Sequence, residues 1–215
     1  MIRRIFIDLD DVCNIFTMYA LRSAGCSVSL SYADYPAKCG YDIVAAANCL
    51  LNAPRYTINA FWDAIARDVW ATIPQSTIFP WLVEAAEELV GRDNVCIATS
   101  PTKDPDCLAG KLEWIHRNMP EWMWRQYAVT PRKHLLARPD SLLIDDNQEN
   151  IRKFKAYGGH GIVVPRPWNS QYGRDPLDHV RHDLQHLFRS SVTSRFLISQ
   201  DNSKNNCKES ASSPA

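Results

Sequence analysis

The sequence predicts an α/β fold: a doubly wound parallel sheet with a small helical insertion after its first strand. Three observations carry this. Short apolar runs of strand length alternate with amphipathic helical segments from residue 94 onward. A similar apolar run stands at the N-terminus, residues 3–8. Between them lies 14–90, which carries apolar side chains at helical spacing and is punctuated by Pro36, Pro54, Pro74 and Pro80 into short helices. A chain of 215 residues suits one domain with a modest insertion. The expected division is a core of 1–13 and 91–192, a helical insertion of 14–90, and a disordered tail of 193–215 that turns to Ser, Asn and Lys.

Each element has a local reason. Ile5, Phe6 and Ile7 form a buried strand that ends at Asp8. Within the insertion, Ala45 to Ala47, Phe61, Trp62, Ile65, Val69 and Trp70 repeat at helical intervals. Residues 94–99 make a second strand, stopped by Ser100-Pro101, and a helix over 105–118 follows. Tyr127-Ala128-Val129 is a short third strand, and 141–144 is a fourth that ends at Asp145-Asp146. A helix over 147–157 is closed by Gly158-Gly159. Residues 161–165 are the fifth strand, and an amphipathic helix over 176–189 ends the pattern.

Composition excludes several classes. Basic and acidic side chains balance at 24 each, so the surface is not that of a nucleic-acid binder. Residues 1–100 are nevertheless acidic on balance, with 7 basic and 11 acidic groups. That split fits acidic metal ligands early and anion contacts late, or plain scatter over solvated faces. Seven widely spaced cysteines without a C-x-x-C pair argue against a disulfide framework or a structural zinc site. No apolar run reaches about 18 residues, and the N-terminal run breaks at Asp8. A cytoplasmic location, without membrane contact, is the expectation.

The strand ends carry the chemistry. In an open parallel sheet, ligands bind beyond the carboxyl ends of the strands. Asp8 and Asp10, Thr99 and Ser100, and Asp145 and Asp146 should therefore meet in one crevice. Converging carboxylates repel one another unless a cation joins them, and hard oxygen ligands suit Mg²⁺. Mg²⁺ in turn suits a phosphate substrate. The hydroxyls of Thr99 and Ser100, with Lys133, suit phosphoryl oxygens. Of the D-x-D pair, one carboxylate can attack phosphorus while the other handles the proton of the leaving oxygen.

Plainer roles stay open for each of these residues. The aspartates can be solvated strand ends. Asp145-Asp146 and Thr99-Ser100 can be helix caps, and Lys133 a surface lysine. Phe16, Phe61, Trp62 and Trp70 can be packing residues. His179, His182 and His186 share a helix and read as its polar side rather than as a metal site. Cys13, near Asp10, has no basic partner in view and does not read as a catalytic thiol.

These motifs resemble the haloacid dehalogenase superfamily of phosphotransferases. Phe6-Ile7-Asp8-Leu9-Asp10, Ile97-Ala98-Thr99-Ser100, Lys133 and Leu143-Ile144-Asp145-Asp146 match its four motifs in order. Thr99-Ser100-Pro101-x-Lys103, Lys111, Trp114, Val129-Thr130 and Lys133 are similar to the 5′(3′)-deoxyribonucleotidases of that superfamily. The resemblance implies a fold with a helical cap over the site. It implies Asp8 as a nucleophile that becomes an aspartyl-phosphate, and Asp10 as the acid and base. It implies Mg²⁺ on Asp8, the carbonyl of Asp10 and Asp145, with Asp146 in support. Thr99, Ser100 and Lys133 would hold the phosphoryl group, and Phe16 and Trp70 the nucleobase. The implied activity is dephosphorylation of nucleoside monophosphates, with a sugar phosphate or another small phosphoester as the alternative, and an inactive nucleotide-binding module beyond that. The oligomeric state is open, a homodimer included. Relatives carry Gly where this chain has Asp11, which aspartate tolerates better than most residues. A charge there is expected to bear on the cation.

Overall fold

The computed structural model describes residues 1–188. The expected tail, 193–215, lies outside the described residues. Five strands, β1 (Arg4–Ile7), β2 (Val95–Thr99), β3 (Tyr127–Val129), β4 (Ser141–Asp145) and β5 (His160–Val163), form one sheet in the order β3-β2-β1-β4-β5. Every pairing is parallel. β1 therefore lies at the centre, between the strands that end in Thr99 and Asp145.

Alternation along the strands explains the two layers of core. Ile5, Ile7, Ile97, Leu142 and Ile144 pack in the main cluster with Trp114 and Leu82. Leu143 and Ala98, one residue out of phase, join Ile151 and Phe154 with Phe6 in a second cluster. Successive side chains of a strand point to opposite faces, so a sheet buried on both sides gives two cores.

The helices are α1 (Phe16–Ser23), α2 (Ile43–Leu50), α3 (Ile58–Asp63), α4 (Arg67–Thr72), α5 (Phe79–Val90), α6 (Pro105–Asn118), α7 (Gln148–Ala156) and a last helix, α8, over 176–188. α7 starts where Asn147 accepts from the amides of Glu149 and Asn150. Pro80 behaves differently from the sequence expectation. It stands in the first turn of α5, where a missing N–H costs nothing, and so starts a helix rather than separating two.

The insertion has a narrow stem. Asn14 and Gln75 pair as an antiparallel bridge. The Ile15 amide donates to the Pro74 carbonyl at 3.1 Å, and the Ser76 amide to the Cys13 carbonyl at 2.9 Å. The chain thus leaves the core beside β1 and returns next to its own exit, and α5, which the sequence expectation places inside the 14–90 insertion, instead packs on β1 and β2. α4 packs on α6 at close range. A Cβ on Gly110 of α6 would stand 2.6 Å from the Arg67 carbonyl, so only glycine permits this approach. The Trp114 indole donates to the Ile73 carbonyl at 2.6 Å and ties α6 to the end of the insertion.

Candidate active site

The chain turns sharply where β1 ends. The Asn14 amide closes a wide turn on the Leu9 carbonyl at 3.1 Å. Asp11, inside that turn, takes φ 58° and ψ 9°, the left-handed region that favours glycine and admits aspartate at modest cost. Its carboxylate does not join the acidic cluster described below. It accepts from the Thr17 amide at 2.9 Å, the Thr17 hydroxyl at 2.6 Å and the Tyr32 hydroxyl at 2.7 Å. Its carbonyl accepts from Arg166 Nε at 2.8 Å. Burial pushes the Asp11 carboxyl up to about 6, against the lowering effect of the Thr17 bonds. Asp11 is thus a pin that fixes the turn.

The turn sets Asp8 and Asp10 apart. Asp8 is buried, and its Oδ1 accepts from the Leu9 amide at 2.8 Å and lies 2.7 Å from Lys133 Nζ. Lys133 donates to Asp145 Oδ2 at 2.7 Å as well. Asp145 is held further by the Asn147 amide at 2.8 Å and the Asn150 side chain at 3.1 Å. Asp8, Asp145 and Asp146 offer oxygens that all lie within 4.8 Å of one another. Burial, first of all, pushes the Asp8 carboxyl up to about 7; Lys133 opposes this, and the charges of Asp145 and Asp10 add to it. Burial and the neighbouring Asp145, Asp11 and Asp8 charges hold Asp146 well above the carboxylate range.

Three buried carboxylates cluster together, and one lysine pairs with two of them. Ionised, the group carries an excess of two negative charges, and every ligand atom is a hard oxygen. That donor set fits a small divalent cation such as Mg²⁺.

Asp10 faces another way. Its Oδ2 accepts from Lys111 Nζ at 2.6 Å, and Asn14 Nδ2 lies 3.4 Å from its Oδ1. Lys111 also donates to Thr99 Oγ1 at 3.0 Å and to the Ser100 carbonyl at 2.6 Å. One buried lysine therefore links the ends of β1 and β2. In the sequence Lys111 belongs to the resemblance alone, with no contact assigned to it. Its spacing from Thr99, across a loop and two turns of α6, carried no signal of where its Nζ would go.

A cavity of about 570 Å³ opens beside Asp10, Ser100 and Lys111. Phe16, Trp62 and Trp70 line one wall, and Thr102, Lys103 and Asp104 line another part. Phe16 and Trp70 stack on each other at 4.5 Å and 7°, so no base can lie between that pair. Trp62 is parallel to both, with centroids 6.1 and 6.3 Å away. Thr99 and Lys133 are buried and do not line the cavity.

The remaining candidates form no part of the acidic cluster. His179 and His182 pair with Asp183 on α8 and form no metal cluster among the described residues. The Cys13 thiol donates to the Asp8 carbonyl at 3.2 Å, and burial pushes it well above its ordinary value, which keeps it inert. None of the six cysteines within the described residues forms a disulfide. Among the described residues, no helix is long and apolar enough to cross a membrane.

Residues 73–182, just over half of the chain, match the family model of the 5′ nucleotidase, deoxy (pyrimidine), cytosolic type C proteins. The chain belongs to this family. The stretch that matches the nucleotidase model includes Thr99, Ser100, Lys111, Lys133, Asp145 and Asp146, while Asp8 and Asp10 precede it. No curated protein matches the sequence. Solved structures show the same fold at low identity. A conserved haloacid dehalogenase-like protein of unknown function from Agrobacterium tumefaciens superposes with a TM-score of 0.57 at 10% identity, covering 89% of this chain and 100% of its own. A haloacid dehalogenase-like hydrolase from Bacteroides fragilis gives 0.50 at 11%, covering 84% and 93%. The α/β fold of this nucleotidase-family chain is thus the haloacid dehalogenase-like one, with its doubly wound parallel sheet.

Proposed function

We propose that the chain is a Mg²⁺-dependent phosphomonoesterase that dephosphorylates nucleoside monophosphates through an aspartyl-phosphate on Asp8. The observation that carries this reading is the division of labour between two aspartates. Asp8 is locked with Asp145 around Lys133, and Asp10 is paired separately with Lys111 at the mouth of an aromatic-walled cavity. Membership in a nucleotidase family supports the same reading. The cavity volume lies within the roughly 300–1,000 Å³ usual for small-molecule sites. The partner is accordingly a small phosphoester, and the working location the cytoplasm.

In this reading a carboxylate oxygen of Asp8 attacks phosphorus. The bond from phosphorus to the nucleoside oxygen breaks, and that oxygen keeps the electron pair and takes a proton from Asp10. Asp10 then removes a proton from water, whose oxygen attacks the phosphorus of the acyl phosphate and frees Asp8. Lys111 holds Asp10 towards the leaving oxygen, and Lys133 offsets charge at Asp8 and on the phosphoryl group. Thr99 and Ser100 bind phosphoryl oxygens from the end of β2. Asp8, Asp145, Asp146 and the Asp10 carbonyl would hold Mg²⁺, which would supply charge neutralisation for the transferring phosphoryl group. Trp62, with the Phe16–Trp70 stack, gives the base a flat apolar wall.

The test is phosphate release from a panel of nucleoside monophosphates and sugar phosphates, with Mg²⁺ and with EDTA. Turnover of nucleotides that EDTA abolishes is the expected result. Turnover confined to sugar phosphates would keep the chemistry and discard the nucleotide. Lys111→Met is expected to lower kcat by about 10²-fold or more, the low end of what a positioned acid/base contributes, with a smaller change in KM. An unchanged kcat would remove Lys111 from the account of Asp10.

A further inference from the structure

Asp146 is the least supported of the three clustered carboxylates. Among the described residues its side chain accepts one hydrogen bond, from the Trp168 indole Nε1 to Oδ2 at 2.7 Å. Asp145, by contrast, is held by a lysine, an amide and an asparagine. Trp168 lies in the loop after β5. Its neighbour Asn169 donates to the carbonyls of Asp146 at 2.9 Å and Val164 at 2.8 Å, so the loop grips Asp146 by side chain and backbone together.

The other edge of the indole belongs to the insertion. Tyr35, Tyr32 and Tyr41 meet Trp168 edge to face, at centroid distances of 4.9, 5.7 and 6.2 Å. Edge-to-face contacts of this kind are favourable and fix the orientation of the ring they surround. All three tyrosines come from one segment between α1 and α2, which has only short helical turns of its own. Trp168 is therefore a single side chain that touches a carboxylate of the acidic cluster with its N–H and the insertion with its ring.

We infer that Trp168 is a positioning residue that couples the tyrosine segment of the insertion to the cation carboxylate Asp146. The indole N–H fixes the Asp146 rotamer for a divalent cation, and the three rings fix the indole. Coupling between two sites is reciprocal. A bound cation that orders Asp146 must then also order the segment around 31–41, and loosening that segment must weaken the cation. The inference rests on the cation reading given above.

The experiment titrates Mg²⁺ into the full chain by calorimetry and follows amide hydrogen exchange over 31–41 with and without Mg²⁺. Trp168→Phe keeps a ring and removes the N–H. It is expected to weaken Mg²⁺ binding about 10- to 100-fold, the usual effect of losing a partner of a metal ligand. In the wild type, Mg²⁺ slows exchange over 31–41, and in Trp168→Phe it does not. Tyr41→Leu, compared with Tyr41→Phe so that loss of the hydroxyl that bonds Asn147 is common to both, is expected to weaken Mg²⁺ by about 2- to 10-fold through loss of the ring against Trp168. Wild-type affinity in both Trp168→Phe and Tyr41→Leu, or exchange over 31–41 that ignores Mg²⁺ in a wild type that binds it, overturns the coupling alone. A wild type that binds no Mg²⁺ overturns the cation reading, and the coupling with it.

Discussion

Asp8→Asn is expected to lose roughly 10⁵-fold or more in turnover, on the scale of other nucleophile deletions, and at the same time to gain stability. The two effects share one cause. Asp8 is buried beside two further carboxylates, which pushes its carboxyl up to about 7 in the cation-free protein. A raised carboxyl pKa favours folding only while the group is protonated. That contribution is fully present below about 4 and is lost as pH rises through about 7. Asparagine imitates the protonated acid at every pH. Cation-free Asp8→Asn should therefore melt above the wild type at pH 8, with the difference shrinking towards pH 5. Thermal melts in EDTA at both pH values check this. A variant that melts below the wild type at pH 8 would mean that the Lys133 pairing outweighs burial.

Lys133→Met is expected to have the opposite effect on stability. Lys133 stands 2.7 Å from both Asp8 and Asp145, and all three side chains are buried. The two acids hold its ammonium above the ordinary lysine value despite burial. A lysine with a raised pKa stabilises the fold at pH values below its ordinary range, so its own titration removes nothing between pH 5 and 8, and the pH dependence there comes from its acid partners. Removing one partner of a buried pair generally costs about 3–5 kcal/mol, because the other charge is left uncompensated. The loss should be larger at pH 8, where Asp8 is ionised, than at pH 5, where Asp8, pushed up to about 7, takes up a proton. Turnover should fall by about 10²-fold or more, as it does when a donor aimed at developing charge is removed. Denaturant titrations at the two pH values, with kinetics in Mg²⁺, test both parts. Equal losses at pH 5 and pH 8 would contradict the electrostatic origin.

Much of the site was legible because it is written at strand ends. Asp8, Thr99 and Asp145 each follow a short apolar run, and parallel pairing brings such ends together whatever their distance in sequence. The side of each group was less legible. Lys111 reaches Asp10 because the loop before α6 and the helix face behind it point inward, which no spacing rule encodes. Phe16 and Trp70 were legible as aromatics of the insertion, but their mutual stacking depends on how α1 and α4 cross. Asp11 was readable as a position of unusual backbone. Where its charge went was not, since its partners Thr17 and Tyr32 lie on elements whose packing the local sequence does not fix. Trp168 stood in a proline-rich loop without any pattern, and its contact to Asp146 emerges only from the assembled sheet.

The central claim is that Asp8 carries the phosphoryl group. Acid quenching of a nucleotide turnover in the presence of Mg²⁺, followed by borohydride reduction and peptide mass spectrometry, tests it most directly. An acyl phosphate at Asp8 would be reduced to homoserine at that position, and only in samples quenched during turnover. Continued turnover with Asp8 never modified would contradict the covalent route and leave attack by water, activated by Asp10, as the reaction.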